Sequence, residues 1–188
     1  MGERSEIRWI APCALVSALT AVGAMLRVPM WPVPVTLQTL FVLLGGGILP
    51  PGYAAAAQGA YLACGLMGLP VFASGSGLGV VLRPTFGYIA GFPLASAAVS
   101  WLVRPVRQRD VLLPPSWKRL LVANGVGTLI VLLLGVTYLY VNLNVVAGGD
   151  ISLRVALWSG ALIFLPGELA KVVLAAAIVR RLWTIVHA

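Results

Sequence analysis

Long apolar runs, separated by short breaks of proline, glycine or polar residues, dominate this sequence. The runs cover residues 9–28, 36–49, 52–69, 84–103, 120–141 and 166–181. A helix of about 20 apolar residues crosses the hydrocarbon core of a bilayer, and the longer runs reach that length. The pattern therefore predicts one domain, an all-α integral membrane protein built as a six-transmembrane-helix bundle.

The breaks between the runs differ in character. Residues 29–34 hold three prolines around Trp31, an aromatic residue of the kind that marks a membrane interface. Residues 70–83 are glycine-rich and predict an irregular loop. Residues 104–119 form the one clearly hydrophilic connection, residues 142–154 a polar link, and residues 155–164 a part-buried approach to the last helix.

The composition agrees with a membrane protein and argues against several other classes. Of the 188 residues, 60% are hydrophobic and 10% are charged, whereas soluble domains average about 25% charged residues. The net charge of +8 comes from basic residues scattered at the ends of apolar runs, so we expect no nucleic-acid partner. Cys13 and Cys64 lie in separate runs without C-x-x-C spacing, which indicates neither a disulfide nor a metal site. His187 is interpreted as a tail residue, and no cofactor is expected.

The basic residues predict how the chain is oriented. Six spans place both termini on one side of the membrane. That side holds nine of the 13 basic residues: Arg4, Arg8, five between positions 104 and 119, Arg180 and Arg181. The positive-inside rule then places both termini in the cytoplasm.

Glu168 and Lys171 are the only charged residues in the apolar stretch 161–179. A charge at bilayer depth costs at least ~2.5–3.5 kcal/mol, so both side chains are expected to face a protein interior or a water-filled cavity. Pro166 suits a first helical position, which puts Glu168 in the first turn, where a carboxylate favours the positive end of the helix. Two interpretations stand: an internal ion pair that locks helices together, or an acceptor and a donor for a polar ligand.

The segment SGSGLG at 74–79 superficially resembles a phosphate-binding loop. It lacks G-x-x-x-x-G-K-[ST], and its glycines do not fit G-x-G-x-x-G, so we expect no ATP hydrolysis by this chain. A flexible lid over a cavity explains the glycines, with a plain surface turn as the alternative. Because the loop and the start of the last helix are both predicted on the outer side, they indicate one outward-facing ligand cavity.

Other polar residues are candidates for the same cavity. Arg83 follows the glycine loop against the positive-inside trend, and its guanidinium suits a ligand carboxylate or a lipid phosphate. Gln38 is a candidate cavity residue, whereas Thr36 and Thr39 are expected to form hydrogen bonds between helices.

A pair of small residues on the first helix forms a possible contact surface. Ala14 and Ala18 are spaced small-x-x-x-small, as are Ser17 and Ala21. Such a stripe lets another helix approach closely, either inside the bundle or from a partner.

Four motifs, taken in order, resemble the BioY family, the biotin-specific substrate-binding subunits of energy-coupling-factor vitamin transporters. They are VPVTLQT at 33–39, GLPVF at 68–72 followed by the glycine loop, PTFGY at 84–88 followed by GF at 91–92, and LPGELAK at 165–171. The order and spacing match across essentially the whole chain. The family often has Asp where Glu168 stands and often two glycines where Phe86 and Gly87 stand, and it does not hold the position of Arg83 constant.

The resemblance implies a six-helix bundle with an outward-facing vitamin site capped by loops. Glu168 then accepts from the ureido N–H groups of biotin, and Lys171 donates to its carbonyl or carboxylate. Arg83 and Gln38 are expected to join them. The expected apolar walls are Trp31, Phe72 and Tyr88, of which Tyr88 is the best placed.

The resemblance also implies a role and partners. The chain is expected to bind biotin with high affinity in the cytoplasmic membrane of a prokaryote, among lipids, and to work with a transmembrane coupling protein and a pair of ATPases. Ala14 and Ala18 resemble the docking surface of such subunits.

Three other hypotheses stay open. The chain can be a subunit specific for another small vitamin, an intramembrane enzyme that uses Glu168 and Lys171, or a purely structural membrane subunit. The enzyme hypothesis needs a nucleophile or a metal, and the runs contain no histidine cluster or paired aspartates to supply one. We therefore expect no catalytic activity.

Overall fold

Helices form most of this structure, a computed structural model that describes residues 7–104, 106–108 and 111–186. The helices are α1 (Ile10–Met25), α2 (Gln38–Ile48), α3 (Pro51–Leu66), α4 (Phe86–Val103), α5 (Trp117–Val141), α6 (Leu153–Gly160) and α7 (Leu165–Val186). Two antiparallel ribbons join them, β1 (Arg27–Val28) with β2 (Val35–Thr36) and β3 (Val106–Gln108) with β4 (Val111–Leu113). The predicted all-α membrane bundle is confirmed, and its short ribbons lie only in connections.

Three helical stretches are long and apolar enough to cross a membrane: Phe86–Val103, Trp117–Val146 and Leu153–Trp183. Helices α1 and α3 have 16 residues each and α2 has 11. At 1.5 Å per residue these lengths give about 24 Å and about 17 Å, against a hydrocarbon core of about 30 Å. The bundle is therefore present, while a full crossing by each of the six predicted spans stays a prediction.

Helix α2 lies at the centre of the bundle, where nine of its 11 residues are buried. Three consecutive glycines let three different helices approach it. A Cβ at Gly45 would lie 2.7 Å from a methyl carbon of Val16 on α1, and one at Gly46 would lie 2.6 Å from the Ser96 carbonyl oxygen on α4. A Cβ at Gly47 would meet Val179 on α7 at 2.4 Å. The glycines thus bring α1, α4 and α7 against one short helix, as small residues do in membrane bundles.

The first helix ends, and the second begins, at positions that differ from the predicted spans. Helix α1 ends at Met25, and the chain then pairs β1 with β2 across the proline-rich turn. Helix α2 begins at Gln38, so Thr36 lies in β2 and not in a helix. The predicted approximate bounds 9–28 and 36–49 are longer than these helices, because hydropathy alone does not distinguish an apolar ribbon from the end of a helix.

Helix α3 stops at Leu66, before the predicted position 69. Gly68 has φ +103°, and its N–H donates to the Gly65 carbonyl at 3.2 Å while the Leu69 N–H donates to the Cys64 carbonyl at 3.1 Å. This pair of bonds is the Schellman arrangement, in which a left-handed glycine ends a helix. This turn therefore ends the helix before the apolar run ends.

The last two predicted connections are more helical than expected. A π-helical turn, Asn142–Val146, extends α5 into the predicted polar link. The approach segment contains α6 and a 3₁₀ turn, Leu162–Phe164, and α7 then begins at Leu165 with Glu168 in its first turn, as predicted. The hydrophilic connection contains the ribbon of β3 and β4. His187, Arg4 and Arg109, which entered the tail and orientation predictions, lie outside the described residues.

Candidate ligand-binding site

A cavity lies between α2, α4, α5 and the start of α7, and β2 and residues 73–74 form part of its wall. Its empty space is about 550 Å³, part of it open to solvent. The apolar lining includes Val33, Tyr88, Ile89, Phe92, Val131 and Phe164. The polar lining consists of Thr36, Gln38, Thr39, Ser74, Thr85 and Glu168. An apolar enclosure with a few polar groups is the usual form of a small-molecule site.

Glu168 and Lys171 form a buried ion pair at one end of this cavity. The two side chains lie one turn apart on α7, and the Lys171 ammonium is 2.5 Å from Glu168 Oε1. Thr39, on α2, also donates to Glu168 Oε1 at 3.1 Å. The pair is therefore held across two helices, as the ion-pair interpretation predicts. The expectation that Thr39 bonds between helices is confirmed.

The two oxygens of the Glu168 carboxylate differ. Oε1 accepts two hydrogen bonds, whereas Oε2 is buried and has no partner among the described residues. Glu168 itself lines the cavity. A buried polar atom without a partner carries a desolvation cost of about 1–3 kcal/mol, and more when it is charged. The described residues thus use the hydrogen-bonding capacity of Oε1 and leave that of Oε2 unused.

Lys171 has a different position. Its ammonium donates to the Thr36 carbonyl at 2.8 Å and to Thr39 Oγ1 at 2.8 Å in addition to Glu168. An ammonium has three N–H donors, and these three acceptors account for all of them. Lys171 does not line the cavity. Its direct contact with a ligand stays a prediction, and the contacts favour a role in positioning Glu168.

Gln38 is placed in the cavity wall at the first turn of α2. The Thr36 hydroxyl donates to its Oε1 at 3.0 Å, and its side-chain amide donates to the Tyr61 hydroxyl. Tyr61 in turn donates to the Val71 carbonyl at 3.0 Å. This chain of hydrogen bonds fixes the Gln38 amide and links the cavity to the loop that follows α3.

Tyr88 also lines the cavity, and neighbouring glycines create the space for its ring. A Cβ at Gly135 would lie 2.2 Å from the ring, and one at Gly160 would lie 2.7 Å from the hydroxyl oxygen. The hydroxyl donates to the Gly160 carbonyl at 2.7 Å. The ring is therefore held rigidly and presents an apolar surface.

Three residues expected at the site lie elsewhere. Trp31 is 83% exposed on the turn between β1 and β2, so its assignment as an apolar wall was wrong. Phe72 is buried in the core, edge-to-face with Tyr61 at 5.2 Å between ring centroids, and does not line the cavity. Arg83 is exposed and lines a neighbouring depression on the surface. Each of these residues lies next to a proline or glycine segment at which the chain turns, and the sequence does not indicate which way the side chain then faces.

Several lining residues were not predicted. Thr85 precedes α4 at the N-cap position, where a threonine hydroxyl commonly accepts from the helix backbone, yet here it makes no such bond. The hydroxyl is instead buried without a partner among the described residues. Phe92 and Phe164 were also missed, because an aromatic residue in an apolar run gives no signal of the direction it faces.

Ala14 and Ala18 are exposed on α1 and line a shallow groove between α1 and α3. The buried residues of α1, Val16, Thr20, Gly23 and Ala24, point into the bundle. Ser17 and Ala21 lie along the same groove, and Ala56 and Ala60 of α3 form its other side. The small residues therefore lie on the outside of the bundle, and their use by a partner stays a prediction.

Comparisons with known proteins agree with this architecture. The BioY family matches residues 1–188. "Probable biotin transporter BioY" from Lysinibacillus sphaericus is 43% identical over 132 residues, which cover 70% of this chain and 64% of that protein. "Biotin transporter BioY" from Thermotoga maritima is 32% identical over 94% of this chain and 96% of that protein.

A solved structure has the same fold. The crystal structure of the S-component for biotin from an ECF-type ABC transporter superposes with a TM-score of 0.82 at 27% identity. The superposition covers 98% of this chain and 95% of that one. Because the family match and the structural match both extend over essentially the whole chain, this protein belongs to the BioY family.

Proposed function

We propose that this protein binds biotin in the cavity beside Glu168 and serves as the biotin-specific subunit of an ECF-type importer. The observation that carries the proposal is the buried Oε2 of Glu168, which has no hydrogen-bond partner among the described residues, in a cavity with a largely apolar lining and a few polar groups. The names of the relatives and of the solved structure support the choice of biotin.

The charges at the site favour a neutral hydrogen-bond donor. Glu168 and Lys171 neutralise each other, so a second full charge beside them would be buried without a counter-ion. A ureido group is uncharged and offers N–H donors, which suit the free carboxylate oxygen. A hydrogen bond to a charged group contributes about 1.5–3 kcal/mol, and the ligand thus removes the desolvation cost of Oε2.

The remaining lining fits the rest of the molecule. Tyr88, Phe92 and Phe164 offer aromatic surface for the bicyclic ring. Aromatic side chains bury large apolar areas with few rotatable bonds. Gln38, Ser74 and Thr85 supply additional polar groups along the wall.

The test removes the ion pair without leaving a buried charge. In the double variant Glu168→Gln with Lys171→Met the pair is replaced by neutral groups, which avoids the roughly 3–5 kcal/mol penalty of an unpaired buried charge. We expect biotin affinity, measured by titration calorimetry on the purified protein, to fall more than tenfold with little change in melting temperature. Wild-type affinity in this variant would show that the site assignment is wrong.

A control separates loss of binding from loss of fold. The Ser96 hydroxyl is buried and donates to the Val42 carbonyl at 3.1 Å, away from the cavity. Ser96→Ala should lower the melting temperature while biotin affinity stays within twofold of wild type. If the wild-type protein does not bind biotin but binds another vitamin, the assignment of the site is retained and the assignment of biotin as its ligand is wrong.

Import requires partners, which we propose to be a transmembrane coupling protein and a pair of ATPases. The groove that contains Ala14 and Ala18 is the proposed docking surface, because it is exposed and its small side chains permit close helix contact. We propose the cytoplasmic membrane, with both termini in the cytoplasm, from the distribution of basic residues. The cavity then opens toward the outer side.

A further inference from the structure

A second depression adjoins the cavity at the end of the bundle where α1 ends and α4 begins. We call it the outer vestibule, formed by Ala24, Met25, Arg27, Pro70, residues 72–75 and Arg83, with about 930 Å³ of empty space that includes open solvent. Ala73 and Ser74 line both the vestibule and the cavity. These two residues are therefore the partition between the surface and the ligand site.

Two arginines give the vestibule its charge. Arg27 lies in β1 and Arg83 follows the 3₁₀ turn Leu78–Leu82, so two distant segments bring them to one depression. Both side chains are exposed, and neither guanidinium forms a hydrogen bond or ion pair with any part of the chain that the structure describes. Among the described residues the acidic ones are Asp150 and Glu168, and neither lines the vestibule. The positive charge is thus uncompensated by the described residues.

Such charges act mainly on the rate of association. An exposed guanidinium interacts only weakly with a carboxylate in water, so it adds little to equilibrium affinity. A concave patch of one sign nevertheless concentrates ligands of opposite charge and raises association rates by roughly 10–10³-fold, in a way that salt suppresses. Charges at the rim of a site change the association rate and its salt dependence.

The partition lies in a loop that contains two glycines with positive φ. Gly75 and Gly77 have φ of +119° and +77°, conformations that glycine adopts readily. The loop is held by the Phe72–Gly75 bridge and by the Gly77 N–H, which donates to the Gly65 carbonyl at 2.8 Å. The bridge and this bond tie the loop to itself and to the end of α3, where Ala73 is buried and Ser74 is half-buried.

We infer that the outer vestibule is an encounter site that captures the carboxylate of the ligand before its ring passes the partition into the cavity. This inference rests on the proposed function, in which the ligand is a carboxylic acid with a neutral ring. Arg27 and Arg83 guide the carboxylate, and Glu168 receives the ring. The ligand is thus oriented before it enters, ring inward and carboxylate outward.

Stopped-flow kinetics on the detergent-solubilised full chain test the inference. The variant is Arg27→Gln with Arg83→Gln, and the ligands are biotin and biotin amide, which has the same ring and no charge. We expect the association rate constant for biotin to fall about tenfold at low ionic strength. The dissociation rate constant should change less than twofold, and the difference should disappear at high salt. The rate constants for biotin amide should not change.

Arg154 supplies the matched control. It is an exposed arginine in α6 that does not line the vestibule. Arg154→Gln should change the association rate constant for biotin less than twofold. If Arg154→Gln lowers the association rate constant as much as the double variant does, the rate depends on overall charge and the inference is wrong. An equal loss of association rate for biotin amide would also overturn the inference. A change confined to dissociation would make the arginines part of the bound site and also overturn the inference.

These outcomes are distinct from failure of the proposed function. If wild-type protein does not bind biotin, the proposed function fails. If it binds biotin at a rate that neither salt nor the double variant alters, only the encounter site fails.

Discussion

The hydroxyl groups of Thr85 and Thr128 are both buried and have no hydrogen-bond partner among the described residues. Only Thr85 lines the cavity. A buried hydroxyl without a partner is destabilising, and its replacement by an apolar group of the same shape is neutral or stabilising. The two threonines therefore offer a matched test of whether an unpartnered group serves the ligand.

We expect Thr85→Val to raise the melting temperature of the ligand-free protein slightly and to weaken biotin binding about fivefold, the equivalent of about 1 kcal/mol. Thr128→Val should produce the same stabilisation and leave affinity unchanged. Thermal unfolding and calorimetric titration of both variants provide the comparison. If both variants retain wild-type affinity, Thr85 makes no contact that matters to the ligand.

At the scale of elements, the loop between α3 and the 3₁₀ turn Leu78–Leu82 depends on a backbone conformation that favours glycine. Gly77 has φ +77° and ψ 179°, a region that is essentially confined to glycine and costs other residues about 1–3 kcal/mol. A Cβ there would meet nothing within 4 Å, so the cost of a side chain is purely conformational. Substitution at Gly77 therefore strains the loop without introducing a steric clash.

If the loop covers the ligand, Gly77→Val should favour its open form and raise the dissociation rate of biotin about tenfold, which corresponds to about 1.4 kcal/mol. Gly79→Ala is the control, because a Cβ there also has open space and its φ lies outside the left-handed region. That variant should exchange ligand at the wild-type rate. Stopped-flow exchange that is unchanged in Gly77→Val would contradict a gating role.

At the scale of the whole molecule, substitutions in the groove between α1 and α3 test whether the protein only binds its ligand or also docks onto a partner of the proposed importer. Ala14→Trp with Ala18→Trp fills the groove and should prevent close approach of a partner helix, because membrane association depends on tight packing. Since these residues are exposed and α1 contributes no residue to the cavity, we expect biotin affinity to stay within twofold. Co-purification with the coupling protein and energised uptake should be lost.

The control places the same bulk elsewhere on the same helix. Leu15 and Val22 are exposed and do not line the groove, so Leu15→Trp with Val22→Trp should leave binding and co-purification intact. Loss of co-purification in both pairs would indicate a general effect of the tryptophans. Reduced stability and reduced biotin affinity in the groove variant would show that the stripe is part of the bundle packing.

Several features of this protein follow from the sequence alone because their causes are local. Apolar runs of helical length determine a membrane bundle, since a polar backbone in lipid must satisfy its own hydrogen bonds. Pro166 fixes the region where the last helix begins, and a charge within that apolar stretch marks Glu168 as a residue that needs an interior partner. The resemblance in four motifs indicated the family, and the comparisons confirmed it.

The tertiary structure decided which of the candidate residues share one cavity. Lys171 and Thr39 are 132 positions apart, and only the packing of α7 against α2 shows that the three N–H donors of the lysine have acceptors within the protein. Arg83 and Trp31 face the surface and Thr85 faces the cavity, because turns at glycine and proline set directions that hydropathy does not encode. The sequence by itself thus determined the helical membrane bundle and the buried charge, while long-range packing decided which oxygen of Glu168 has no partner among the described residues.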